Sequence, residues 1–331
     1  MSDMDRSLEQ LLSVASPRPV PAPADTAAVR DAVRAEWQSA SGKYQSRHRL
    51  LRFALAATVL LGVFAVLNSF RVPDIDTERV ASIQRSFGSI YVLGEQSTLT
   101  LLDDLQAIES GQTIITGADG GIALAWGRGG SLRLDRNTRV EFRDGDTLYL
   151  KGGQVYFDST PSALLAGNSA GSVAAFELET DFGRVTHIGT QFMTTVDGSE
   201  LKVSVREGEV EVAGRYHDYR AAQGQQVSFV GSQQPVITNF PAYGSAWDWV
   251  GATSPPINVD GRSAHEFLQW AGRELGQDIV YTSAAVEQEL KNALLRGDID
   301  SAPADALKMR MATADIAWRV EEGTIYVGES E

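Results

Sequence analysis

Two ten-residue stretches decide the fold: LYLKGGQVYF at 148–157 and VSVREGEVEV at 203–212. In each, apolar and polar residues alternate on both sides of a glycine, Gly153 or Gly208, and the apolar residues fall at the same four places. Alternation is typical of half-buried strands, and glycine suits a turn that needs positive φ. The pattern therefore predicts two related β-hairpins, the first turning at Lys151–Gln154.

A third copy, LRLDRNTRVEF at 132–142, has one more residue in the turn. Between residues 80 and 240, short alternating runs punctuated by Gly and Asp continue almost without helical periodicity. They predict an all-β domain over 80–240, either a sandwich or a short solenoid. Generic antiparallel hairpins would explain the repeated spacing almost as well.

Residues 241–256 break this alternation and are rich in Gly, Ser, Ala and Pro, which predicts a linker. We expect its two tryptophans, Trp247 and Trp249, to pack on a neighbouring domain rather than to contact a partner protein.

The last part of the chain changes period and predicts a small α+β domain over 257–330. Ser263 and Glu266 form a capping-box pair ahead of an apolar helical stripe. Ser301, with Pro303 in the first turn, predicts the start of a second helix. Alternating runs around these two helices complete a predicted order β-α-β-β-α-β-β.

The composition excludes several classes of function. The 331-residue chain has a net charge of −14 and no cysteine. Disulfides, thiolate zinc sites, iron–sulfur clusters and cysteine nucleophiles are therefore excluded. The acidic balance argues against direct binding of nucleic acid, which requires clustered Lys and Arg.

The charges divide around an uncharged run, FALAATVLLGVFAVLNSF at 53–70. Eighteen residues make roughly 27 Å of helix, close to the thickness of a bilayer core. Residues 1–52 hold eight Lys or Arg against six Asp or Glu, whereas residues 71–331 hold 21 against 37. The positive-inside rule then predicts a single-pass membrane protein with residues 1–52 in the cytoplasm and 71–331 exported. A buried core helix and a cleaved signal peptide are the alternatives, and an uncleaved signal anchor is favoured over both.

The N-terminal segment carries one narrow apolar stripe, Val29, Val33 and Trp37, at helical spacing. Fifty residues bury little surface alone, so this segment either folds against a partner protein or is a tether. The sequence leaves both readings open, and the stripe is the candidate partner contact.

The sequence contains only weak matches to catalytic motifs. GNSAG at 167–171 matches the G-x-S-x-G pattern of serine hydrolases, but it lies between β-runs rather than between a strand and a helix. None of the four histidines has a partner at metal-ligand spacing. We therefore expect no enzyme, no catalytic residue, no metal and no cofactor, with Ser169 as the nucleophile of the disfavoured hydrolase alternative.

The run FELETDFGRVTHIGTQF at 176–192, followed by 203–212, resembles the central motif of the FecR family of transmembrane regulators, and 148–157 is also similar to it. The structural residues of this motif are Phe176, Thr180, Gly189, Thr190, Phe192 and Gly208. The C-terminal part resembles the small secretin/TonB short N-terminal domain.

The resemblance implies a regulator in the inner membrane with its bulk in the periplasm. Such proteins relay a signal from a TonB-dependent outer-membrane transporter, through its signalling domain, to an extracytoplasmic-function sigma factor that the cytoplasmic segment binds. The alternative is a membrane-tethered periplasmic binding or scaffold module without sigma-factor activity.

Overall fold

The structure is a computed structural model that describes residues 27, 30–34, 78–94, 99–102, 105–159, 176–214, 218–231 and 234–328. The chain divides into two units, residues 1–75 and 76–331. In the first unit, residues 27 and 30–34 are helical and exposed. The expected membrane span at 53–70 lies outside the described residues, and no described helix is long and apolar enough to cross a membrane.

The second unit is mostly β-structure, as the alternation predicts. Its described strands are β1 (Arg79–Phe87), β2 (Ile90–Leu93), β3 (Leu99–Leu101), β4 (Ala107–Glu109), β5 (Thr113–Thr116), β6 (Gly121–Trp126), β7 (Ser131–Leu134), β8 (Arg139–Phe142), β9 (Thr147–Asp158), β10 (Glu177–Thr180), β11 (Gly183–Asp197), β12 (Glu200–Gly214), β13 (Asp218–Ala222), β14 (Gln225–Val230), β15 (Val236–Asn239), β16 (Ile257–Asn258), β17 (Asp278–Tyr281), β18 (Asp298–Ile299), β19 (Trp318–Glu321) and β20 (Thr324–Val327). Its described helices are a 3-10 turn (Ser245–Trp247), α1 (Asp248–Ala252), α2 (Ala264–Leu275), α3 (Ala284–Asn292) and α4 (Pro303–Thr313). We refer to residues 78–239 as the β-domain, 240–256 as the bridge segment and 257–328 as the module.

The β-domain is a sandwich of two layers joined into one hydrogen-bonded network. The first layer runs through β4, β1, β6 and β7, the C-terminal halves of β9 and β11, the N-terminal half of β12, and then β14 and β15. The second layer runs through β3, β2, β5 and β8, the N-terminal half of β9, β10, the N-terminal half of β11, the C-terminal half of β12, and β13. One buried apolar cluster with side chains from both layers fills the interior.

Three long strands pass from one layer to the other, each near a glycine with positive φ. These are Gly153 in β9 (φ 97°), Gly189 in β11 (φ 57°) and Gly208 in β12 (φ 78°). At Gly153 a Cβ atom would lie 2.4 Å from Thr138 Cα, so only glycine fits there. These bends act as the corners of the sandwich.

The predicted hairpins are therefore wrong, because 148–157 and 203–212 each lie within a single strand, β9 or β12. The glycine does not reverse the chain. It shifts the alternation by one residue, so that the apolar side chains before and after the bend both face the interior. The stretch 132–142 is not a hairpin either, since β7 and β8 both pair with β9 at its opposite ends.

The bridge segment is not the predicted linker. It contains the 3-10 turn and α1, and Trp247 and Val250 are buried. Its apolar side chains pack against Tyr156 and Met193 on the outside of the first layer. The expected packing of the two tryptophans is confirmed: Trp247 is buried, and half-buried Trp249 donates its indole N–H to Met193 Sδ at 3.3 Å.

The module follows the predicted order except for one additional helix. The capping box of α2 is confirmed, because Ser263 Oγ accepts from the Glu266 amide at 3.2 Å while Glu266 Oε2 accepts from the Ser263 amide at 2.8 Å. The order is β-α-β-α-β-α-β-β. The prediction missed α3 because Val286 and Leu290 alone mark its packed face. Helix α4 begins after Ala302 rather than at Ser301, since Pro303 occupies its first turn.

Candidate functional site

A row of polar side chains lies on the outer face of the first layer, where strand alternation would place solvent-exposed residues. Arg133 on β7, Tyr156 on β9 and Arg206 on β12 are at most 2% exposed. The bridge segment and the module cover them. We call this contact between the first layer and these two segments the seam.

The centre of the seam is a buried ion pair between the β-domain and α2. Arg133 binds Glu274 through two hydrogen bonds, from Nη1 to Oε2 at 2.7 Å and from Nη2 to Oε1 at 2.9 Å. Arg133 Nη1 also donates to the Val250 carbonyl at 2.8 Å. Burial opposes the charge of Arg133, but the carboxylate of Glu274 outweighs it and raises the pKa of the guanidinium. Arg133 therefore stays charged in the interior.

Arg206 binds the C-terminal end of the same helix. Its Nη1 donates to the Glu274 carbonyl at 2.9 Å, and its Nε donates to the Ala242 carbonyl at 2.8 Å. The guanidinium lies 4.2 Å from the ring of Trp247. Burial lowers the pKa of Arg206, and a cation at this position interacts favourably with the helix dipole.

A third arginine, on the module side, completes the seam. Arg273 Nη2 donates to Asp158 Oδ1 at 2.7 Å, and Arg273 also pairs with half-exposed Glu207. At the opposite edge, Arg85 donates to the Ser254 carbonyl at 2.9 Å and pairs with Asp300. The β-domain therefore binds the module mainly through charged hydrogen bonds.

A polar cleft of about 550 Å³ runs along the seam. Both sides line it, with Gln191 and Glu207 from the β-domain and Gln269, Trp270 and Asp278 from the module. Among the described residues no group of three or more His, Cys, Asp or Glu side chains could hold a metal ion. Ser169 of the GNSAG pattern lies outside the described residues.

The residues of the central motif hold the sandwich together and do not form a surface. Phe176 stacks on Phe157 with ring centroids 3.8 Å apart, and Phe192 lies 6.1 Å from Phe157. Thr180 Oγ1 donates to the Gly183 carbonyl at 2.9 Å in the turn between β10 and β11. Buried Thr190 donates its amide to Ser159 Oγ at 2.7 Å. Gly189 and Gly208 lie at two of the corners described above.

The predicted partner-contact stripe lies almost wholly outside the described residues. Val29 and Trp37 fall outside them, while Val33 is helical and 64% exposed. The stripe therefore stays a prediction.

The sequence reasoning missed the seam, although one residue signals it. Glu274 follows Phe267 by seven positions and Ala271 by three, so it lies on the apolar stripe of α2. A carboxylate on a buried stripe needs a buried cation, since an unpaired charge in the interior is very costly. That cation, Arg133, occupies an outward position of an ordinary alternating strand.

Comparison with known proteins assigns the β-domain. The model of the FecR protein family matches residues 112–211, and no curated protein matches the chain. Two crystal structures of a provisionally identified anti-sigma factor from Parabacteroides distasonis are 16% identical and have TM-scores of 0.35 and 0.33. They cover 66% of this chain and 99% and 97% of their own. A cell surface anchoring domain is 24% identical over 20% of this chain and 88% of its own, with a TM-score of 0.19.

None of these TM-scores reaches 0.5, so the assignment rests on the family match and on the residues that carry it. The matched range runs from β5 into β12 and contains all three corner glycines and the stacked phenylalanines. On this evidence residues 112–211 of the chain match the FecR protein family.

Proposed function

We propose that this protein is a single-pass signal transducer of the inner membrane that regulates an extracytoplasmic-function sigma factor. The observation that carries the proposal is a FecR domain at 112–211 placed after a basic N-terminal segment and an uncharged run at 53–70. A domain on one side of a membrane and a short segment on the other can relay a binding event between compartments.

On the cytoplasmic side, we propose that Val29, Val33 and Trp37 contact the sigma factor. Described residues 30–34 are helical and exposed, which suits an amphipathic helix that docks in a groove of its partner. Tryptophan is frequent among the residues that dominate binding energy at interfaces.

On the periplasmic side, we propose that the signalling domain of a TonB-dependent outer-membrane transporter binds the exported part. The three-stranded sheet of the module, in the order β17-β20-β19, supports this proposal. Its outer strands leave Val280 and Val320 more than 40% exposed, and its edges offer backbone groups for a partner strand.

Replacing Trp37 by alanine in the full chain is expected to weaken recovery of a sigma factor by at least about tenfold, because a docked tryptophan is worth about 2 kcal/mol or more. The measurement is a crosslinked pull-down from membranes, quantified by mass spectrometry. Gln38→Ala, one position outside the stripe, is the matched control and should leave recovery unchanged.

Absence of any sigma factor from the wild-type crosslinks would contradict the proposal. Equal recovery with Trp37→Ala and Gln38→Ala would remove the stripe as the contact. If the response of target genes also survived deletion of residues 1–40, the tethered binding or scaffold role would be the better account.

A further inference from the structure

Three buried apolar clusters hold the described residues of the second unit together, and none joins the module to the β-domain. The first lies wholly within the β-domain, and the second lies wholly within the module. In the third, Trp247 and Val250 of the bridge segment pack against Tyr156 and Met193 of the β-domain. The module thus has its own core and shares none with its neighbour.

The module is attached to the β-domain through ions and polar groups. Its described bonds to the β-domain come from Arg85, Arg133, Arg206 and Arg273. Burying such groups costs desolvation energy that separation would return, which makes an ionic interface far easier to open than an apolar core. The buried Arg133 Nε has no hydrogen-bond partner among the described residues, and opening would hydrate it.

The position of the cleft and of the chain connection also fits an interface that opens. The 550 Å³ cleft already separates part of the two surfaces. The bridge segment reaches Ala252 as a packed helix, and Thr253–Pro256 then lead directly into the first strand of the module. Movement about this connection would free the module while Trp247 and Val250 stayed packed on the β-domain.

We propose that the module is a releasable cover on the FecR domain, held by the clamp of Arg133 and Arg206 on the C-terminal end of α2. Release uncovers Arg133, Arg206 and Asp158 on the β-domain, and it frees Glu274 and Arg273 on the module. This adds a regulated step to the proposed function, but its test does not require a sigma factor or a transporter.

The absence of cysteine allows a direct distance measurement on the full chain. Spin labels at Ser199→Cys in the β-domain and Gln288→Cys in α3, both exposed positions, report the separation of the two parts by double electron–electron resonance. A second pair, Gln288→Cys with exposed Lys308→Cys, reports the integrity of the module. Each pair is measured in the otherwise wild-type chain, with Glu274→Gln, and with Glu211→Gln as the control, because Glu211 pairs with Arg220 within the β-domain.

The expected result is a single narrow distance for Ser199–Gln288 in the wild-type background and in Glu211→Gln. Glu274→Gln should add a population at longer distance, while Gln288–Lys308 stays narrow. The proposal is overturned if Glu274→Gln leaves the first distance unchanged. It is equally overturned if both pairs broaden together, since the module would then lose its fold when it leaves the β-domain.

Discussion

Replacing Glu274 by alanine is expected to destabilise the closed seam by about 3–5 kcal/mol, among the largest effects of any single substitution in this protein. The change leaves Arg133, which is 0% exposed, as a buried cation without its carboxylate. The measurement is urea denaturation of the full chain in detergent, followed by tryptophan fluorescence. The transition in which the seam opens should move to a lower urea concentration.

Two variants separate the charge effect from loss of packing. Glu207→Ala removes the ion pair between Arg273 and the Glu207 carboxylate. Because that carboxylate is 47% exposed, the substitution should cost no more than about 1 kcal/mol. The double variant Arg133→Met with Glu274→Leu replaces the buried pair by apolar groups and should recover most of the loss. Equal effects of Glu274→Ala and Glu207→Ala would show that the seam does not depend on the buried pair.

Replacing Phe176 by alanine is expected to lower the free energy of unfolding of the β-domain by about 3–5 kcal/mol. The ring is 5% exposed, stacks on Phe157 at 3.8 Å and meets Trp126 edge-on at 5.3 Å. Truncation would leave a cavity beside both rings, in the centre of the sandwich. Calorimetry of the full chain measures the loss as a lower Tm for the transition of the β-domain.

Phe87→Ala is the matched control, because the Phe87 side chain is 41% exposed and leaves no interior cavity. It should lower the Tm clearly less than Phe176→Ala. A small effect of Phe176→Ala would mean that the central motif is not required for the packing of the sandwich.

The core of the β-domain could be predicted because the alternation of side chains is a local property of a strand. Leu148 and Phe157 are both buried, as their positions in the pattern predict. The path of the chain could not be predicted in the same way. A glycine with positive φ serves a hairpin turn and a bend in a continuous strand equally well, and the choice depends on neighbours such as β8 and β11 that are distant in sequence.

In the module and the bridge segment, too, elements marked by local sequence signals could be predicted, whereas elements that depend on tertiary contacts could not. Its first helix could be predicted because Ser263, Glu266 and Gly276 mark both ends locally. Helix α3 has a Ser283 cap but only two packed apolar side chains, so its periodicity is too weak to identify. Trp247 and Val250 form helical structure in a segment rich in Gly, Ser and Pro because Tyr156 and Met193 provide a surface for them.

The seam could not be predicted from the sequence, because it depends on pairing between residues that are distant in the chain. Arg133 and Glu274 are 141 positions apart, and Arg133 looks like an ordinary surface residue of its strand. Only the docking of α2 on β7 brings them within hydrogen-bond distance. The charge of Glu274 on an apolar helical stripe is the one local sign of this contact.

The central claim, that the chain spans the inner membrane once and relays a signal across it, is tested most directly by its topology. Reporter enzymes that are active only in the cytoplasm or only in the periplasm are fused to either end of the full chain. The account predicts cytoplasmic activity at the N-terminus and periplasmic activity at the C-terminus, with the protein resistant to carbonate extraction. Activity of both fusions on the same side, or release of the intact chain by carbonate, would contradict it.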